Sequence, residues 1–286
     1  MALTSDADLA LLHKDLLSAF KASVEVTAEP IAIEDCPDKD LAPVLHISQV
    51  MLARAQEQAH ASIELFLSGH WAAFEALSRI SLEYSIRFSA LMNDDPRKTL
   101  GNYLGGHFVE MEKRQKHAHD TLVAEGDGQM LRQLDRDRQH MQFRRELVNG
   151  YADFCGFSLT QGKKNFSAFD HFDAVGKASL YRGLYSVLSS QVHADAESLV
   201  DYIVIHCVQR TDGERDIAAQ EVYHWMLHFL VKLIAAYVDA CEGFSRRFSL
   251  DGMSRLLDEV HHRVTEIEGR YNDDFRLFKM NPIPNV

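Results

Sequence analysis

The sequence is poor in the signals that would tie it to several large classes of function. Its four cysteines, Cys36, Cys155, Cys207 and Cys241, make no C-x-x-C pair, so neither a zinc ribbon nor a thioredoxin-like redox motif can be read from them. Glycine-rich phosphate loops and the G-x-S-x-G nucleophile turn are absent. Basic residues are in deficit. A net charge of −12 argues against broad, sequence-independent binding to nucleic acid, which depends on Lys and Arg neutralising phosphates. An uninterrupted apolar run is also missing. Val222–Cys241 comes nearest to a membrane span, but it carries His224, His228, Lys232 and Asp239, each costly in a bilayer, and reads instead as a buried core helix. With no secretory signal and no cysteine framework, the expectation is a reduced, cytoplasmic protein without membrane association. Proline is scarce as well: six in the chain, three of them (Pro30, Pro37, Pro43) in one short stretch. Long proline-free runs, rich in Leu and Ala, favour helix over sheet.

What is present is helical periodicity. A first helix is expected from about Ser5 to Glu29, with Leu9, Leu12, Leu16 and Phe20 on its apolar face. The segment 30–43 reads as a loop, Val44–Ser68 as a second helix ending at Gly69, and His70–Asn93 as a third. The third helix is nearly apolar or small all round except for one line, Glu75, Arg79, Glu83 and Arg87, at strict i+4 spacing with alternating sign. Such a line is either a solvated, salt-bridged edge or a polar seam on an inner wall. Residues 94–150 read as an antiparallel helical hairpin turning near Glu125–Gly128, with a narrow apolar line Leu131, Leu134, Met141 and Val148 in its second arm. Between Glu110 and Gly150 eight Lys/Arg face eight Asp/Glu, so this neutral segment is expected to project from a more acidic body and to offer a homo-oligomer contact. Residues 150–176 read as loop with one short helix at Ala168–Val175. Long helices follow over Ile217–Arg247 and Asp251–Arg270, before a loose tail. The whole is expected to be one all-α domain, residues 1–286: an irregular bundle of about eight helices with the hairpin 94–150 within it.

In Tyr181–Leu199, helical spacing sets Tyr181, Tyr185, Ser189 and His193 in one ladder beside the apolar residues Leu180, Leu184, Val187 and Leu188. A phenol, a hydroxyl and an imidazole at the edge of a core need partners, and the stripe holding Arg79 and Glu83 is a plausible source of them. A structural histidine satisfied by a neighbour is the plain alternative for His193. Histidine is unusually frequent, and three E-x-x-H pairs occur, Glu57/His60, Glu221/His224 and Glu259/His262. In di-iron carboxylate bundles such pairs join two further carboxylates, for which Glu25 and Glu197 are available. With 18 Glu and 15 His, about one pair arises by chance. The metal reading is therefore weak, with Glu57, His60, Glu221 and His224 as its candidates, and no cofactor is expected. The R-x(4–6)-H pattern of helical HEPN ribonucleases fits Arg54/His60, Arg114/His119 and Arg255 with His261 or His262, but roughly three matches arise by chance.

The segments SRISLEYSIRF, with Arg79 and Glu83, and YRGLYSVLSSQVHA, with Ser189 and His193, resemble two signature segments of the DUF5677 family of bacterial helical proteins. Those proteins carry R-x-x-x-E in an early helix and S-x-x-x-H in a later one. The resemblance spans about Leu45–Cys207 and implies a helical fold without a settled reaction or cofactor. It groups Arg79, Glu83, Ser189 and His193 as one site. The leading expectation is an inter-helix pocket that binds a small polar or anionic ligand or a protein partner: Arg79 for charge, Glu83 orienting it, and Tyr181, Ser189 and His193 as hydrogen-bonding groups. The alternatives are a metal-independent ribonuclease, with stress or phage defence as its setting, and a di-iron oxidase.

Overall fold

In the computed structural model the backbone is described for residues 6–159, 167–185 and 211–280, and side chains for 12–159, 167–185, 211 and 222–271. Among these residues every regular element is helical: α1 Asp6–Thr27, α2 Ala42–Leu67, α3 Trp71–Asn93, α4 Pro96–Glu125, α5 Gly128–Phe154, α6 Ala168–Ala174, α7 Ala178–Leu180, α8 Asp212–Arg247 and α9 Asp251–Met280. A single 3-10 turn, Ile33–Asp35, interrupts the loop after α1, and α7 runs straight into a five-residue π-helical turn, Tyr181–Tyr185.

The helix ends follow local chemistry. Asp95 caps α4 by accepting from Arg97 N at 3.0 Å, with Pro96 occupying the first turn, where its missing N–H costs nothing. Gly126 ends α4 in the left-handed region at φ 72°, and Asp127 at once caps α5 through Gln129 N and Met130 N. These two residues make the whole turn between helices of 30 and 27 residues. Arg138 reaching the Gln115 carbonyl and Arg145 pairing with Glu112 show that the two helices run antiparallel. The half-buried positions of α5 are 131, 134, 138, 141, 145, 148 and 151, at spacings of three and four in which two arginine stems share the seam with Leu131, Leu134, Met141, Val148 and Tyr151. Ala152 is its one buried residue.

The core is arranged around α8. Leu227, Leu230, Val231, Ile234, Ala236, Tyr237, Val238, Ala240 and Cys241 are all at most 1 % exposed, so the middle of this helix is enclosed by α1, α2, α3 and α9. No helix of the described residues is long and apolar enough to cross a membrane. α9 contributes Leu257, Val264, Ile267 and Tyr271, and α1 contributes Leu12, Leu16, Ala19 and Phe20. The two long C-terminal helices differ from the expected spans. α8 begins five residues earlier than Ile217, and α9 continues ten residues past Arg270, since no helix-breaking residue follows before Asn281.

Gly101 on α4 faces the Ser158 carbonyl so closely that a Cβ there would stand 2.3 Å from the oxygen, whereas a Cβ on Gly150 in α5 would meet nothing within 4 Å. Both are ordinary helical glycines, so the two positions separate packing from propensity. Gly101→Ala is expected to lower stability, because overpacking costs about 1–3 kcal/mol against the ~1 kcal/mol that alanine's helix propensity returns. Gly150→Ala is expected to raise it by about 0.5–1 kcal/mol. Urea denaturation of the two variants checks the pair, and equal shifts of the same sign would refute the close approach.

Candidate functional site

The charged line on α3 is half-buried at all four of its positions. Arg79, Glu83 and Arg87 are each half-buried against a shelf formed by α6 and the π-helical turn. Tyr185, 5 % exposed, comes from that turn to stand between the charges. Arg79 Nη2 donates to the Tyr185 hydroxyl at 3.1 Å, and the hydroxyl donates in turn to Glu83 Oε2 at 2.7 Å. The Arg79 guanidinium also lies 5.0 Å from the Tyr185 ring centroid. The other carboxylate oxygen of Glu83 is held in an ion pair by Arg87, which reaches Tyr103 of α4. Tyr181 stacks on Tyr185 with centroids 4.9 Å apart and planes 20° apart. Phe172, fully buried, closes on both rings at 5.4 and 5.3 Å. The wider π turn sets residues i and i+4 nearly over one another, which suits this stack.

Burial raises the pKa of the Tyr185 hydroxyl, and its bond to the Glu83 carboxylate adds to the effect; Arg79 works against it. The phenol is therefore a firm neutral donor to Glu83. His171 of α6, 7 % exposed, is pushed below the ordinary imidazole range by burial and by Arg87, with Glu83 and Asp170 opposing. Two guanidinium groups thus flank one bonded carboxylate, with the neutral phenol of Tyr185 between that carboxylate and Arg79. Glu83 is spent on Arg87 and Tyr185. Arg79 forms no ion pair among the described residues, and its buried Nε has no acceptor; the Nε of Arg87 is in the same position. The cluster carries surplus positive charge and surplus donors, an arrangement suited to an anion.

Of the residues expected to form a site, Arg79, Glu83 and Tyr181 meet around Tyr185, while Ser189 and His193 lie outside the described residues. Tyr185 was visible only as a rung of the ladder, and Arg87 and His171 not at all as site residues. The i+4 continuation of the α3 line is the signal that holds Arg87, but nothing local marks His171. Glu57 is bound to Arg54 on an exposed face of α2, and His60 is 65 % exposed beside Glu64. The side chain of Glu221 is outside the described residues. The arginines of the R-x(4–6)-H matches have local uses: Arg54 on Glu57, Arg114 on Glu110, and Arg255 on the carbonyl of Asp251.

Among the described residues, the set whose ligand atoms could hold a metal is a different one, Asp239 and Glu242 of α8 with His261 of α9, all within 4.8 Å of one another. Both carboxylates are already matched, Asp239 by Lys177 and Glu242 by Arg246, and His261 bridges them through its two ring nitrogens. An ion would have to compete with two basic side chains, so the set acts first as a clamp between α8, α9 and the start of α7.

Fold and site together define an all-helical protein with a half-buried Arg–Tyr–Glu–Arg cluster at the junction of α3 and a π-helical turn. A family model described as a family of unknown function, DUF5677, matches residues 45–209, more than half of the 286, and the chain belongs to that family. No curated protein and no solved structure matches it. The matched span includes every residue of the cluster and leaves α1, α8 and α9 outside.

Burial lowers the pKa of His13 and His224 as well as that of His171. The folded chain keeps these imidazoles neutral, while the unfolded chain takes up protons below their ordinary value of about 6.5. Their contribution to stability is therefore full above that pH and declines as the pH falls below it. The urea midpoint is expected to drop between about pH 7 and pH 5. The drop should be shallower in His171→Gln, and identical slopes in the two proteins would contradict the neutral, buried state of His171.

Proposed function

We propose that the protein binds a small anionic ligand at the Arg79–Tyr185–Glu83–Arg87 cluster. The observation that carries this reading is the state of Arg79: a half-buried guanidinium whose side-chain hydrogen-bond partner is a neutral phenol, with a buried Nε that has no acceptor among the described residues. A desolvated cation without a counter-charge is costly, and an anion with two or more oxygens would relieve it by taking the unused donors. Tyr185 fixes the guanidinium from one side, Glu83 fixes Tyr185, and Arg87 holds Glu83 so that it does not neutralise Arg79 directly. In this reading Ser189 and His193 supply further hydrogen bonds to the ligand, and the Tyr181–Phe172 wall excludes water. The reaction class, if there is a reaction, is set by what the anion carries.

The test is thermal denaturation of the wild type, Arg79→Gln and Tyr185→Phe against inorganic phosphate, pyrophosphate, citrate and the nucleoside monophosphates. An anion at about 100 times its Kd adds about 2.7 kcal/mol to stability. That gain should appear in the wild type and vanish in Arg79→Gln. Tyr185→Phe is expected to lower basal stability by about 1.5–3 kcal/mol through loss of a bond to a charged group, and to weaken the anion response. If the wild type and Arg79→Gln respond alike to every anion, the reading fails.

A further inference from the structure

The clamp between α8, α9 and the start of α7 contains more acid than base. It holds three carboxylates, those of Asp239, Glu242 and Asp258, and among the described residues the basic side chains paired with them are Lys177 and Arg246. Arg246 is shared, since its Nη2 bonds Glu242 and also lies 3.4 Å from Asp258. One negative charge is left over, and Glu242, 6 % exposed, is poorly placed to lose it to solvent. His261 bonds Glu242 through Nδ1, while its Nε2 stands 3.7 Å from Asp239 Oδ1, beyond hydrogen-bond reach. Lys177 takes the other oxygen of Asp239, so Oδ1 receives no hydrogen bond among the described residues.

We infer that Asp239, Glu242 and His261 form a zinc site. Their ligand atoms lie within 4.8 Å of one another. A tetrahedral zinc with bonds of about 2.1 Å sets its ligands about 3.4 Å apart, so small side-chain rotations close the set around one ion. One imidazole nitrogen with two carboxylate oxygens suits zinc better than magnesium or calcium, which favour oxygen alone, and a fourth position is left for water. The helices fix the spacing. Asp239 and Glu242 stand three apart on α8, Asp258 and His261 three apart on α9, so each pair shares one face of its helix. The Glu259/His262 pair of the E-x-x-H pattern lies one residue further on, and there His262 is 79 % exposed beside Glu266. Zinc replaces the proton between His261 and Glu242 and displaces Arg246 from Glu242. Arg246, 65 % exposed, keeps Asp258 as its partner, and Lys177 keeps Oδ2 of Asp239, so the ion joins the clamp without dismantling it.

Calorimetric titration of zinc chloride into the EDTA-treated full-length protein should show one ion bound per chain. Asp239→Asn and His261→Gln should each weaken binding by about tenfold or more; circular dichroism shows whether each variant keeps its helices. His262→Gln, next along α9, should leave binding unchanged. Arg246→Gln removes the competing cation and should tighten binding by about threefold or more, a gain that a purely structural clamp does not predict. Because Arg246 is a surface residue, this variant keeps the test decisive if a ligand variant folds poorly. Absence of zinc binding in the wild type and in Arg246→Gln alike would overturn the inference. Binding that the folded Asp239→Asn and His261→Gln variants leave intact would place the ion on other histidines, and would equally overturn it.

Discussion

The constraint on which the structure depends is the burial of the middle of α8, where most side chains between Met226 and Cys241 are enclosed by other helices. A helix enclosed along its middle offers its polar residues little solvent there, so a charged group on that stretch must find a fixed partner or remain largely desolvated and alone. Lys232 finds Glu268 of α9, Asp239 finds Lys177 at the start of α7, and Glu242 finds Arg246 in its own last turn together with His261 of α9. These bonds do more than offset desolvation. They fix the rotation of α9 against α8, which apolar packing alone specifies less sharply, and they anchor the residue from which α7 and the π-helical turn depart. The position of Tyr185 is therefore inherited from a clamp on the far side of the core.

On α3 the same physics gives a different result. Its charged line could have been satisfied within the helix, since alternating signs at i+4 pair readily. Only Glu83 and Arg87 do so among Arg79, Glu83 and Arg87. Tyr185 takes the remaining oxygen of Glu83 and offers its own oxygen to Arg79, which separates a cation from the carboxylate four residues away. The insertion of one neutral phenol into a charged ladder is what leaves the cluster electropositive. It is also the point at which two segments of the family-matched region touch.

Much of the architecture was legible because it rests on local signals. α2, α3 and the two helices that meet at Gly126 and Asp127 were readable from turn residues and continuous 3.6-residue periodicity, with ends within about two residues except that α5 runs to Phe154, four residues past the expected Gly150. The reading of Val222–Cys241 as core followed from its charges. The length of α9 was underestimated because a fall in apolar content resembles an ending, although no breaking residue stands there. The site was legible in part. Arg79, Glu83 and Tyr181 stood out as polar residues on apolar faces, but which group would bridge them depends on the approach of two helices about a hundred residues apart. A π turn leaves no mark in composition. The Asp239, Glu242 and His261 set was hidden for the same reason: 239 and 242 share a turn, but the 19 residues from Glu242 to His261 form a motif only after the chain has reversed.

The α4–α5 hairpin has a consequence for how the molecule opens. Beyond Phe108 on the outward helix and before Ala152 on the return, no residue is fully buried, and the seam is a single file of half-buried side chains that includes two arginines. The backbone hydrogen bonds there are guarded by one neighbouring helix and not by the core. Opening can start at Gly126 and run down both arms without exposing α8, so its free energy is set by the hairpin alone. Amide protons should then exchange in a gradient along the hairpin, fastest at the tip and slowing to the rate of global unfolding where Gly101 meets Ser158.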